Sequence, residues 1–190
     1  MESFNDDIKN ACDVLKRGGI ILYPTDTIWG IGCDATNEEA VERVFRLKQR
    51  ADCKAMLVLI DTSAKLPFYV TEVPKIAWDL TALTEKPLTI IYPEGKNLAR
   101  LLLGEDGSIG IRITNELFSK KLCERFCKPL VSTSANISGQ PAPPSFCDIS
   151  DEVKQGVDYS VHYRRDEKIK SRPSGIIRLG IDNTIHIIRK

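Results

Sequence analysis

An α/β or α+β domain built on a mixed sheet is the fold class this sequence predicts, and three observations point to it. Strand-like and helix-like segments alternate early in the chain. Strand candidates then cluster toward its end, a pattern that mixes parallel and antiparallel pairing. The composition is that of an ordinary globular domain: 190 residues, 42% hydrophobic and 28% charged, enough for one full-sized core.

The elements follow in order. Ile8, Ala11, Cys12 and Leu15 fall on one face of a helix over 5–17, and Gly18-Gly19 supplies its stop. "IILYP" reads as a buried strand ending at Pro24, and "TDTIWGIGCDAT" (25–36) as a loop with two glycines. Asn37 is placed to cap a helix over "EEAVERVFRLKQR", where acids lead and bases trail as the helix dipole prefers. "AMLVLI" is a second buried strand, and Pro74 opens a helix through Leu83. "PLTIIY" and "SIGIRI" are the third and fourth strands; Asn115 caps a helix through Phe126, and "PLVST" is the fifth strand. Asp148 or Ser150 starts a short helix. "VDYSV", "SGIIRL" and "TIHIIR" are three further strand candidates, with the charged connector "RRDEKIKSRP" between the first two. Without an internal repeat or a shift in composition, residues 1–190 read as one domain.

Several function classes are disfavoured. There are 27 basic and 26 acidic residues, so the global basic bias of a non-specific nucleic-acid binder is missing. The N-terminus has no apolar signal region and the apolar runs are strand-sized, so the expectation is a cytoplasmic protein with no membrane segment. Six cysteines (Cys12, Cys33, Cys53, Cys123, Cys127, Cys147) in such a chain read as reduced thiols. With two histidines and no C-x-x-C pair, a zinc site is disfavoured.

Four stretches carry polar groups where a strand ends or is interrupted. In "YPTDTIWGIG", Thr25, Asp26 and Thr27 follow a buried strand, as a plain turn or as site residues. Trp29 is either a stacking surface or core. In "RLKQRADCK", Arg46 suits a solvated helix end, whereas Lys48, Arg50 and Lys54 run into a loop before a strand and could hold a triphosphate or carboxylate. Arg112 interrupts "SIGIRI". It either points outward from an edge strand or shares a cleft-facing row with Ser108 and Gly110. "LVSTSANISGQPAP" places Ser132, Thr133, Ser134, Asn136 and Ser138 after a buried strand, as a turn network or as a surface for polar ligand groups. Neither common phosphate loop, G-x-x-x-x-G-K-[ST] or G-x-G-x-x-G, occurs, and no G-x-S-x-G elbow makes Ser134 a nucleophile.

Taken together, "GGIILYPTDTIWGIGCDA", "RVFRLKQR", "SIGIRI" and "PLVSTSANISGQPAP", in this order, resemble the YrdC domain family of threonylcarbamoyl-AMP synthases. The resemblance runs from about Asn5 to Lys190 and matches the short, single-domain form. It implies a twisted mixed parallel/antiparallel sheet flanked by helices around a single open cleft. It also implies a reaction joining L-threonine, bicarbonate or CO2 and ATP, with Mg2+, to give threonylcarbamoyl-AMP and pyrophosphate. Partner transferase proteins then carry the threonylcarbamoyl group to tRNA. By resemblance, Lys48, Arg50, Ser134 and Asn136 line the ATP and reaction site. Thr27, Arg112, Ser132 and Ser174 match the threonine positions. Arg50, Lys54, Ser108, Ser134, Ala142 and Arg189 match positions near the nucleotide. Metal binding by protein side chains alone is not implied. Two positions depart from the family pattern: Ala51 replaces a common proline, and Leu59 a common histidine near threonine. Rival readings are an RNA-binding module with a local patch at Arg43, Arg46, Lys48 and Arg50, and a paralogue with another substrate.

Overall fold

A computed structural model of the chain describes residues 3–49, 56–167 and 174–190. Helix α1 (Phe4–Lys16) opens with a capping box: Ser3 accepts from the backbone of Asp6, whose carboxylate reaches back to Ser3. Strands β1 (Ile21–Tyr23) and β2 (Gly30–Gly32) follow, then α2 (Glu38–Leu47), capped by Asn37 as its sequence predicts. Next come β3 (Leu57–Ile60), the short α3 (Leu66–Tyr69), α4 (Lys75–Leu83), β4 (Leu88–Tyr92) and β5 (Ile109–Ile113). The chain continues through α5 (Leu117–Phe126), β6 (Leu130–Ser134), α6 (Asp151–Gly156), β7 (Tyr159–Ser160), β8 (Gly175–Leu179) and β9 (Ile185–Arg189).

The strands form one mixed sheet in the order β7-β1-β2-β6-β3-β5-β4-β8-β9. Pairs β1/β7, β3/β5 and β4/β8 are parallel and the rest antiparallel. The mixed α/β architecture expected from the sequence is therefore the one observed. One face of the sheet carries the apolar core, including Val58, Ile90, Ile109 and Ile111.

Three local expectations are corrected. The stretch 25–36 is not all loop, because Gly30–Gly32 forms β2 between β1 and β6. Tyr23 crosses β2 to donate to the Val131 carbonyl at 3.1 Å, so its ring passes directly over Gly32. A Cβ there would lie 2.6 Å from that ring and 2.5 Å from the Val131 oxygen, so the strand is built from glycine for lack of space. The α5 cap is Glu116, which accepts from Ser119 at 2.7 Å, rather than Asn115. Finally, β5 lies between β3 and β4, which removes the edge-strand reading of Arg112.

Among the described residues, Cys12, Cys33, Cys123, Cys127 and Cys147 are free thiols; Cys53 lies outside them. Burial pushes the Cys33 and Cys123 thiols well up from the usual range. No helix among the described residues is long and apolar enough to cross a membrane.

Candidate functional site

Strand register brings the polar face of the sheet together. Arg112 on β5 pairs with Leu59 on β3 and Thr89 on β4, Thr89 with Ile176 on β8, and Ile176 with Arg189 on β9. Side chains opposite one another across strands share a face. Ser132 on β6 pairs with Leu57, and Ser134 with Gly30. This face floors a cleft of two chambers that share Leu57, Ser132, Ser134 and Arg189 in their walls.

The smaller chamber, about 490 Å³, is lined by Thr25, Thr27, Arg112, Ala142, Ser174 and the shared residues. The larger, about 660 Å³, extends over Thr89, Gly110 and Ile176 to Asp106, Ser108 and Arg178. Thr27, Ser108, Arg112, Ser132, Ser134, Ala142, Ser174 and Arg189 thus meet around one cleft, as a single site requires. Arg50 and Lys54 fall outside the described residues.

The "TDT" turn feeds the smaller chamber. Thr25 is locked by its hydroxyl, which donates to the Ile28 carbonyl at 2.7 Å and accepts from the Thr27 backbone at 3.2 Å. The Thr27 hydroxyl lies 3.3 Å from that of Thr25. Of the two readings open for Thr25, turn or site residue, both hold: its hydroxyl builds the turn, and it stands in the chamber wall. Trp29 is mostly core: it is 6% exposed, packs on Phe146 at 4.8 Å, and shows its remaining surface to the chamber. Ser174 is held from two sides, by Thr89 at 3.1 Å and by Arg189, whose Nε donates to its carbonyl at 2.9 Å.

Arg112 is 3% exposed, and its Nε is buried without a hydrogen-bond partner. Asp26 lies 3.6 Å away, close enough to pair in charge but not to accept a hydrogen bond. Burial, with the like charge of Arg189 as a lesser contribution, pushes the Arg112 guanidinium down from its usual value; Asp26 opposes this. It remains a cation at neutral pH, since arginine starts far above it. A buried N–H with nothing to bond is costly unless a ligand is to meet the group.

Lys48 is also buried, 2% exposed, but its ammonium donates to the carbonyls of Ser134 and Asn136, each at 2.6 Å. It ties the end of α2 to the loop after β6, and the Ser138 N–H returns a bond to the Lys48 carbonyl at 2.8 Å. Asn136 shapes the same loop by donating to the carbonyls of Ile137 and Gln140 at 2.9 and 2.8 Å, which leaves its buried Oδ1 without a partner. Neither Lys48 nor Asn136 is among the chamber walls. Leu59 is fully buried beside Arg112 in register.

Of the four residues of the RNA-binding reading, Arg50 lies outside the described residues and the other three are each engaged. Arg43 is engaged by Asp158 at 2.9 Å and Arg46 by Glu42 at 3.1 Å, and Lys48 is buried. No group of three or more potential metal-ligating side chains occurs among the described residues.

A family model for Sua5, yciO and yrdC proteins, described as telomere recombination, matches residues 13–190. The chain belongs to the Sua5/YciO/YrdC family. It is 38% identical over 158 residues to a protein named threonylcarbamoyl-AMP synthase from Pseudoalteromonas translucida, covering 81% of this chain and 84% of that one. P. abyssi Sua5, solved with L-threonine, superposes with a TM-score of 0.85 at 26% identity; the match covers 94% of this chain and 52% of Sua5, so this chain spans about half of it. E. coli YciO superposes with a TM-score of 0.81 at 27% identity, covering 96% of this chain and 88% of that one.

Proposed function

We propose that this chain is an L-threonylcarbamoyladenylate synthase, a nucleotidyltransferase that joins L-threonine, bicarbonate or CO2 and ATP. The observation that carries this reading is Arg112: a buried guanidinium with an unbonded N–H, in a hydroxyl-lined chamber that opens into a larger one. The smaller chamber suits an amino acid and the larger a nucleotide. The curated relatives and the threonine complex of Sua5 support the same assignment.

In this reading Arg112 grips the threonine carboxylate, and Thr27, Ser132 and Ser174 meet its amine and hydroxyl. The neutral amine adds to CO2 and gives up a proton to form a carbamate; from bicarbonate the same carbamate forms with loss of water. A carbamate oxygen then attacks the α-phosphorus of ATP, the bond to the bridging oxygen of the β-phosphate breaks, and pyrophosphate leaves. Positioning supplies most of such a step, because reactants held in attack geometry no longer have to find each other. Lys48 and Asn136 serve by shaping the Ser134 loop, and Arg189, Arg50 and Lys54 supply cationic charge toward the nucleotide. Mg2+ would accompany ATP rather than be held by this chain's side chains alone. It would neutralise the charge of the leaving pyrophosphate. The product is a mixed anhydride for a cytoplasmic transferase that modifies tRNA; direct tRNA contact by this chain has no support in the Arg43–Arg46 surface.

The test is incubation with ATP, threonine and bicarbonate. Pyrophosphate should appear only when all three are present. Its absence from the complete mixture, with folded protein, overturns the assignment; release with another amino acid alone points to the divergent paralogue that Leu59 suggests.

A further inference from the structure

Asp26 has no role in the reaction as described so far, yet it is the nearest counter-charge to Arg112. Its side chain is 7% exposed. Oδ1 accepts from the backbone N–H groups of Asn115 and Glu116 at 2.8 and 3.0 Å, and Oδ2 from the Thr114 hydroxyl at 2.7 Å. All three donors belong to the connection between β5 and α5, so the carboxylate is fixed by the strand that carries Arg112. It is held 3.6 Å from Nε, just outside bonding distance.

We propose that Asp26 is a positioning residue for threonine binding: it compensates the Arg112 charge without consuming its hydrogen-bond donors, and fixes the Thr25–Thr27 turn relative to the guanidinium. A carboxylate bonded bidentately to Arg112 would compete with the substrate. With no carboxylate at all, a buried cation would be uncompensated and would turn toward other partners. The observed arrangement avoids both. It also joins the two halves of the chamber, since the turn that carries Asp26 carries the Thr27 hydroxyl. The inference rests on the reading of Arg112 as the group that takes the threonine carboxylate.

Asp26→Asn isolates the charge. The Asn115 and Glu116 N–H groups require an oxygen where Oδ1 stands, so the new amide nitrogen must occupy the Oδ2 position. There it presents a donor to the Arg112 Nε–H, and the guanidinium turns away. An opposing effect exists: loss of a negative charge makes the cleft more cationic and would tighten every anion. That effect is long-range and would act on ATP and threonine together. The donor–donor conflict acts at near-contact distance and on threonine alone, so the orientation effect is expected to dominate.

The experiment is titration calorimetry of threonine and ATP against wild type, Asp26→Asn, Arg112→Lys and the double variant, beside the pyrophosphate assay on wild type. The expected result is a roughly tenfold rise in threonine Kd for Asp26→Asn, within the range that coupled neighbours show, with ATP Kd within about twofold. In the Arg112→Lys background the same change should add little, because its effect runs through Arg112. A folded Asp26→Asn with wild-type or tighter threonine binding overturns the inference, as do full additivity in the cycle and an equal loss for both ligands. If Asp26→Asn does not fold, Asp26→Glu carries the test: it keeps the charge but displaces it, and unaltered threonine binding overturns the inference. A wild type that binds no threonine and releases no pyrophosphate overturns the functional reading and this inference together. A wild type active in both assays beside an indifferent Asp26→Asn overturns this inference alone.

Discussion

Two buried cations, Lys48 behind the loop that follows β6 and Arg112 in the chamber wall, are handled in opposite ways. Lys48 is 2% exposed and donates to two loop carbonyls at 2.6 Å. Arg112 is 3% exposed, has an unbonded Nε–H and faces a chamber. Burial alone does not distinguish an architectural charge from one kept for a ligand; the bonding of the donors does. A satisfied buried cation stabilises the segment it bonds, while an unsatisfied one costs stability that a ligand can restore.

The comparison breaks first at Lys48. Lys48→Met keeps the length and apolar stem of the side chain but strands the Ser134 and Asn136 carbonyls. Leaving two buried carbonyls without a donor costs about 3 kcal/mol in all, which for a chain of this size corresponds to a fall in Tm of roughly 8 °C. Threonine and ATP should both bind less well, because Ser134 is in the wall of both chambers. Thermal unfolding and separate titrations check this. An unchanged Tm with loss of ATP binding alone would make Lys48 a ligand-contacting group and remove the contrast.

Arg112→Lys should do the reverse, changing affinity with little effect on stability. Lysine keeps the charge but not the planar fork that holds both carboxylate oxygens. The loss is about 1.5–3 kcal/mol, roughly a tenfold to hundredfold rise in the threonine constant. The ATP constant should stay within about twofold. Steady-state kinetics with each substrate varied in turn sharpens the assignment: an unchanged threonine constant removes Arg112 from the carboxylate, and a matching ATP loss moves it toward the nucleotide.

The same contrast explains what could be read from the chain alone. Helices were legible where side-chain chemistry marks them, as with Asn37 before Glu38–Leu47 or the apolar face of α1. Strand β2 was not, since its identity lies in the absence of side chains: Gly30 and Gly32 look like turn residues until the Tyr23 ring is seen crossing them. Alternation in "SIGIRI" correctly placed Ser108, Gly110 and Arg112 on one row, but whether β5 was edge or centre depended on which strands flanked it, a long-range fact. Motif resemblance brought Thr27, Ser132, Ser134, Ser174 and Arg189 to a single site. It could not show that Lys48 points its charge into backbone carbonyls, because that depends on where a loop more than eighty residues away comes to rest.

An exposed ion pair in the wall of the larger chamber supplies the smallest effect. Arg178 meets Asp106 at 2.7 Å, with side chains 42% and 55% exposed. Bonds from Ser108 and then Arg178 hold the Asp106 carboxyl well below the usual carboxylate range. A folded-state value lowered in this way gives stability that is fully present above the unfolded value, about 3.9, and is lost as pH falls through the folded one. Water and salt screen a half-exposed pair, so Asp106→Asn should cost under about 1 kcal/mol at neutral pH. The Tm difference between wild type and variant should therefore be small and constant from pH 8 to about pH 5, and should shrink only as the solution is acidified further toward the folded value. Because the pair lines the larger chamber, which the proposed function gives to the nucleotide, the variant should leave threonine binding unchanged. A difference that grows as pH falls would have the wrong sign for a depressed carboxylate, and a threonine defect would mean that the two chambers are coupled through this pair as well as through Ser132 and Ser134.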